Sequence, residues 1–314
     1  MICAMKKIYM TDNRVIHELD ETREGAWIML TNPTVEELQT VAAEHEIDIA
    51  DVRAALDDEE SSRIDLEDGY TLILVDIPTT EIRHETRSYT TIPLGILLTQ
   101  TNIITVCTED TPILMHFIDR RVREFSTKKK MRFVYQILYR TAATYQSTLR
   151  IIDKKRTELE EDLGNRTEDK DLIELHELES TLVYFATSLR ANGAVLDRLS
   201  RYKRLEQFPE DMELLEDVIV ENRQAVEMTS IYRDILNGTR ELFSSLLDNR
   251  LNNVMKYLTS LTLVLAIPTI ISGFFGMNVP VPLANARSGF VLICIGTTIV
   301  CIFILWILKK KRMM

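Results

Sequence analysis

Residues 257–278 read YLTSLTLVLAIPTIISGFFGMN, and this stretch decides the fold. No charged side chain lies between Lys256 and Arg287, and residues 288–308 are again uncharged and mostly apolar. Each run supplies the roughly 20 apolar residues that a helix needs to cross a bilayer. Gly276-Met277-Asn278 therefore falls where the first span ends, just before a short turn into the second. Backbone carbonyls and a neutral amide at a pore mouth suit a hydrated metal ion better than they suit a packed core. The expectation is an ion-conducting membrane protein.

Counting back from Gly276 in alternating threes and fours gives Gly273, Thr269, Ala266, Thr262, Thr259, Met255 and Asn252. Apart from Met255, every residue of this seam is small or polar, whereas the rest of the segment is Leu, Ile, Val and Phe. Two meanings compete. Small residues let membrane helices pack closely, or several copies surround an axis and the seam lines an aqueous path. Asn278 favours the second, because a ring of amide oxygens can hydrogen-bond the water shell that Mg²⁺ gives up reluctantly. Such binding is weak enough for release, which conduction requires. Pro268 lies inside the first span and cannot donate to the carbonyl of Val264, so a loosened turn is expected, with the freed carbonyl on a watery cavity.

Charge is segregated along the 314 residues. Residues 1–248 hold 30 Lys and Arg against all 48 Asp and Glu, a balance of −18, and residues 249–314 carry +7, for a net charge of −11. An acidic soluble body argues against nucleic acid as partner, since phosphate binding needs a basic surface. Lys309-Lys310-Lys311-Arg312 abuts the second span, and Arg250 and Lys256 precede the first. The positive-inside rule then places both termini in the cytoplasm and residues 279–287 outside. No cleavable signal peptide is visible. Cys3, Cys107, Cys294 and Cys301 have no paired ligand spacing, and the last two read as small fillers on one face of the second span.

Residues 1–126 read as a mixed α/β domain, with strands expected at 6–10, 26–30, 70–77, 89–98 and 103–108. Thr34 with Glu37 forms a possible capping box, and Thr111-Pro112 opens another helix. From Thr127 the pattern turns to long charged helices, a stalk over 127–253, with stops expected at Gly164-Asn165 and Phe208-Pro209. The third meets no strong breaker from Pro209 to Asn278. If continuous it is a rod of roughly 100 Å joining the soluble part to the membrane. The membrane parts follow as a pore helix over 254–278, an outer loop over 279–287, a second helix over 288–308 and a basic tail over 309–314.

Asn252-Asn253-Val254-Met255-Lys256-Tyr257-Leu258-Thr259, then Pro268, then Phe275-Gly276-Met277-Asn278, resembles the CorA family of divalent-cation channels, as does the layout of the whole chain. The resemblance implies a funnel-shaped homopentamer in the plasma or inner membrane, whose long third helix lines the pore. It implies that Asn278 forms the outer selectivity ring, positioned by Gly276 and Met277. Gly273, Thr269, Ala266 and Thr262 would face the path, Met255 and Leu258 would form an apolar constriction, and Asn252 would sit at its cytoplasmic end. It further implies regulation by intracellular Mg²⁺ between soluble domains, with Asp217, near Glu213 and Glu216, on the long helix, and Asp57-Asp58-Glu59-Glu60 as the place to look for its partner. The family often carries a carboxylate in the outer loop, and residues 279–287 have none.

The function expected is passage of Mg²⁺, with Co²⁺, Ni²⁺ or Zn²⁺ as alternatives. Softer ions favour imidazole or thiolate ligands, and the membrane helices contain no His. Lipid and further copies of the chain are the expected partners, with no organic substrate. A two-helix membrane anchor for a sensor or scaffold predicts neither a polar seam nor a terminal Asn. The five His residues are scattered, and no phosphate loop or nucleophile motif supports an enzyme.

Overall fold

In a computed structural model of the chain, residues 5–12, 15–83, 86–119, 122, 124–162, 169–202, 209–277 and 288–311 are described. The chain divides into two compact units, Met1–Gly238 and Thr239–Met314.

The first unit is built on a seven-stranded sheet. Its strands are β1 (Met5–Asp12), β2 (Val15–Leu19), β3 (Trp27–Thr31), β4 (Arg63–Leu66), β5 (Tyr70–Arg83), β6 (Thr86–Thr99) and β7 (Ile103–Cys107). They run in the order β2-β1-β3-β7-β6-β5-β4. Among the described residues only the β3–β7 pair is parallel. Five strands match the β-rich runs of the sequence. The short β2 and β4 do not stand out there.

Both faces of the sheet are covered, which is why β3 and β7 are apolar on both faces rather than alternating with polar residues. Ile28, Leu30, Leu72, Leu74, Ile104 and Val106 point to one side, against Leu38 and Val41 of α1 (Val35–Glu44) and Val52 of α2 (Ile49–Ala54). Gly95 on β6 lets α2 come close, for a Cβ there would lie 2.6 Å from that of Ala55. The alternate residues Trp27, Met29, Ile73, Val75, Ile103 and Cys107 face α3 (Pro112–Ile118), α4 (Lys130–Asp162), α5 (Asp169–Arg201) and the first turns of α6 (Pro209–Phe275). Trp27 is fully buried among Tyr9, Phe117, Phe125 and Phe133, and its indole N–H donates to Thr105 at 2.8 Å.

Helix starts follow local chemistry. Thr34 accepts from the N–H of Glu37, whose carboxylate accepts from the N–H of Thr34, the reciprocal box expected from sequence. Thr111 caps α3 ahead of Pro112. The stop expected at Gly164-Asn165 lies outside the described residues.

A polar tie fixes α5 to the sheet. β4 begins at Arg63, opposite Leu74, so Asp76 of β5, two residues farther along, has no β4 partner. The carboxamide of Asn192 takes that place: it accepts from the Asp76 N–H at 2.9 Å and donates to the Asp76 carbonyl at 2.8 Å. Tyr145 of α4 donates to the same carbonyl, and Ser62 donates to the Asn192 oxygen at 3.1 Å. Burial pushes the Asp76 carboxyl up from its ordinary 3.8, against the opposing pull of hydroxyl donors Ser188 and Ser62.

The second unit holds the C-terminal part of α6 and α7 (Gly289–Lys310). Both helices are long and apolar enough to cross a membrane. The 67-residue α6 passes through Pro268 without a break in its assignment.

Candidate functional site

The seam of α6 is placed by what it does not touch. In the membrane part of α6 the residues that lose exposure are Lys256, Ser260, Val264, Ile267 and Ile271, a single stripe with Ser260 only 1% exposed. The Cys301 thiol on α7 donates to the Val264 carbonyl at 3.9 Å, so α7 lies along this stripe. The covered residues of α7 include Gly289, Ile293, Thr297, Cys301, Ile304 and Leu308, again at helical spacing.

Asn252, Met255, Thr259, Thr262, Ala266, Thr269, Gly273 and Gly276 are all exposed. At 3.6 residues per turn their mean direction lies roughly 140° round the helix from the α7-facing stripe. The small-residue face is therefore not the face that packs on α7. Packing on α7 of the same chain does not explain the seam. Leu258 flanks the seam and is 60% exposed beside Met255 at 59%.

The hydroxyls on this face are turned in a particular way. Thr262 donates to the carbonyls of Leu258 and Thr259 at 3.0 and 2.9 Å, and Thr269 donates to that of Leu265 at 3.0 Å. With its one hydrogen used on its own helix, each hydroxyl offers only lone pairs outward. Water in a cation's shell holds its oxygens to the ion and its hydrogens outward. A wall of acceptors matches that shell.

Two expectations are corrected here. The carbonyl freed by Pro268 does not line a watery cavity. Val264 faces α7, and the Cys301 thiol supplies the missing donor. Cys301 is accordingly more than a filler. No sequence signal at either residue would have paired them, 37 positions apart.

The α6 end is built by Gly276, whose N–H bonds the Ser272 carbonyl at 2.9 Å. A Cβ on Gly276 would sit 3.2 Å from that same oxygen, a close approach that glycine avoids. Met277 is exposed. Asn278 and the loop 279–287 lie outside the described residues.

The acidic candidates are all in the first unit. Glu213, Glu216 and Asp217 are exposed on α6. Asp57 and Asp58 are exposed in the segment between α2 and β4, and the Asp57 carboxylate accepts from the Glu59 N–H at 3.1 Å, which accounts for part of its role locally. Among the described residues no three Asp, Glu, His or Cys side chains come together as a metal site.

A family model described as CorA-like Mg²⁺ transporter protein matches residues 23–310. The chain belongs to the CorA family. Its members are membrane ion transporters, not enzymes. The cobalt/magnesium transport protein CorA of Methanocaldococcus jannaschii is 28% identical over 295 residues, covering 91% of this chain and 90% of that one. The Thermotoga maritima protein of the same name is 25% identical over 186 residues, 59% of this chain and 53% of its own. The complete structure of the CorA magnesium transporter from Methanocaldococcus jannaschii matches with a TM-score of 0.82 at 27% identity, over 99% of both chains. The fold is thus that of a full-length CorA protein, with an N-terminal α/β domain, a long helix and two C-terminal apolar helices.

Proposed function

We propose that this CorA-family protein is a passive channel for hydrated divalent cations, with Mg²⁺ as its principal cargo. The observation that carries the proposal is the exposed seam of α6, which α7 leaves uncovered and whose Thr262 and Thr269 hydroxyls offer only acceptors outward. Several copies around an axis, five by analogy with the family, would turn these seams toward one another. Asn278 would then form the selecting ring at the outer end, with Gly276 and Met277 setting its position. Gly273, Thr269, Ala266, Thr262 and Thr259 would line the path, and Met255 and Leu258 would narrow it above Asn252. Apolar constrictions of this kind gate by losing their water.

With both termini in the cytoplasm, an inside-negative potential drives entry at ~2.3 kcal/mol per charge per 100 mV. Mg²⁺ stands in the name of every relative reported above, and Co²⁺ in two of them. The oxygens that Thr262 and Thr269 present favour the harder ion. Ni²⁺ and Zn²⁺ are less suited, because no His lies in either membrane helix. Intracellular Mg²⁺ held between copies, by Asp217 and Glu213 on one side and Asp57 or Asp58 on the other, would keep the channel closed.

Mg²⁺ uptake by proteoliposomes containing Asn278→Ala tests the ring. Loss of uptake or of Mg²⁺ preference is expected, and unchanged uptake would remove Asn278 from the proposal. For regulation, Asp217→Ala should abolish the protection that Mg²⁺ gives the soluble domain against proteolysis. Protection equal to that of the unsubstituted chain would dismiss the site.

A further inference from the structure

The basic end of the membrane hairpin gathers cations that have no anionic partner among the described residues. Antiparallel helices keep level when counted equally from a shared contact, and the Cys301–Val264 contact supplies the reference. Eight residues from it along each helix, Lys256 of α6 comes level with Lys309 of α7, about 12 Å along the axis at ~1.5 Å per residue. Lys310 and Lys311 follow within the same turn. Lys256 is half-buried, and the other three are exposed. Among the described residues none of the four forms an ion pair, and the chain has no Asp or Glu after Asp248.

The same level carries an aromatic border. Trp306 and Tyr257 are each 58% exposed. Phe303 stacks on Trp306 at 6.3 Å between ring centroids, and the Lys310 ammonium lies 5.2 Å from the Trp306 ring. Indole and phenol rings at the end of an apolar span sit at headgroup depth. Ammonium groups at that depth attract the anionic groups of a lipid surface.

We propose that Lys256, Lys309, Lys310 and Lys311 form a binding surface for the phosphate of an anionic phospholipid, with Trp306 packed along its upper acyl chain. The surface serves each chain separately and needs no second copy. It rests on the hairpin spanning a membrane, and not on the ion path along α6.

Trp306 reports on the site directly. The other tryptophan, Trp27, is wholly buried in the aromatic core and out of reach of lipid. The full chain is reconstituted into vesicles of phosphatidylcholine and phosphatidylglycerol, with bromine on the acyl chains of one lipid or the other. Quenching of Trp306 should show phosphatidylglycerol preferred about tenfold. K309Q/K310Q/K311Q should bring that ratio down to about twofold, K309R/K310R/K311R should keep it, and Lys256→Gln alone should lower it about twofold. A ratio near one in the unsubstituted chain, or one unchanged by the glutamines, overturns the proposal. Absence of quenching by either lipid overturns the membrane placement itself, a separate failure.

Discussion

Replacing Asn192 by leucine should loosen α5 from the sheet, at a cost that can be worked from the bonds lost. Asn192 is 4% exposed and makes three hydrogen bonds, at 2.8, 2.9 and 3.1 Å. The Asp76 carbonyl would keep its Tyr145 donor, at 3.1 Å, and is only partly orphaned. The Asp76 N–H would lose its acceptor beside a leucine that cannot replace it. A net hydrogen bond is worth ~1 kcal/mol, and a stranded buried donor costs roughly 1–3 kcal/mol. With the leucine's own apolar contacts offsetting part of this, the net loss should be about 3 kcal/mol. In a unit of this size that corresponds to a fall of about 6–12 °C in Tm. Chemical unfolding of the full chain in detergent, in a Trp306→Phe background so that Trp27 alone reports, measures it. Ser62→Ala, which removes a single bond to Asn192, should lose only about 1 kcal/mol. A loss below ~1 kcal/mol for Asn192→Leu would refute the idea that this amide stands in for the missing strand.

Two further outcomes concern the same domain. Because burial raises the Asp76 pKa, the folded state binds this proton more tightly than the unfolded one, so its contribution falls as pH rises from 3.8 through the folded value. Asp76→Asn should therefore gain stability over the unsubstituted chain across that window, and a pH-independent difference in unfolding midpoint would contradict it. Gly95→Val places a side chain where even a Cβ lies 2.6 Å from the Ala55 Cβ. It should destabilise by about 1–3 kcal/mol, with partial rescue in the Ala55→Gly double variant, and additive effects of the two changes would deny the contact.

Much of the soluble fold was legible because its signals are local. The apolar runs around Trp27 and Ile103, the reciprocal cap of Thr34 and Glu37 and the Thr111-Pro112 start each involve residues within a few positions of one another. The short β2 and β4 were not legible, since five and four residues at the sheet edges carry little apolar pattern. Asn192 gave no warning, for its partner Asp76 is 116 residues away and its role depends on where β4 stops. The seam on α6 was visible as composition, but its meaning was not. Only the position of α7, fixed through Cys301 and Val264, separates the face that packs in the chain from the face left over.

That leftover face makes a sharper demand on chemistry than smallness does. If it were a packing surface between copies, a threonine methyl would matter and its oxygen would not, because the hydroxyl hydrogen is already spent on the helix backbone. If it lines a path for hydrated cations, the oxygen matters, since the outward hydrogens of the water shell need acceptors along the wall. Thr269→Val keeps shape and volume while deleting that oxygen, and Thr269→Ser keeps the oxygen while deleting the methyl. One lost hydrogen bond of ~0.5–1.5 kcal/mol at each copy should reduce Mg²⁺ flux through Thr269→Val proteoliposomes roughly two- to tenfold, with Thr269→Ser close to the unsubstituted chain. The reverse order, valine tolerated and serine impaired, would show that the seam is read by neighbouring helices through its methyl groups rather than by ions through its oxygens.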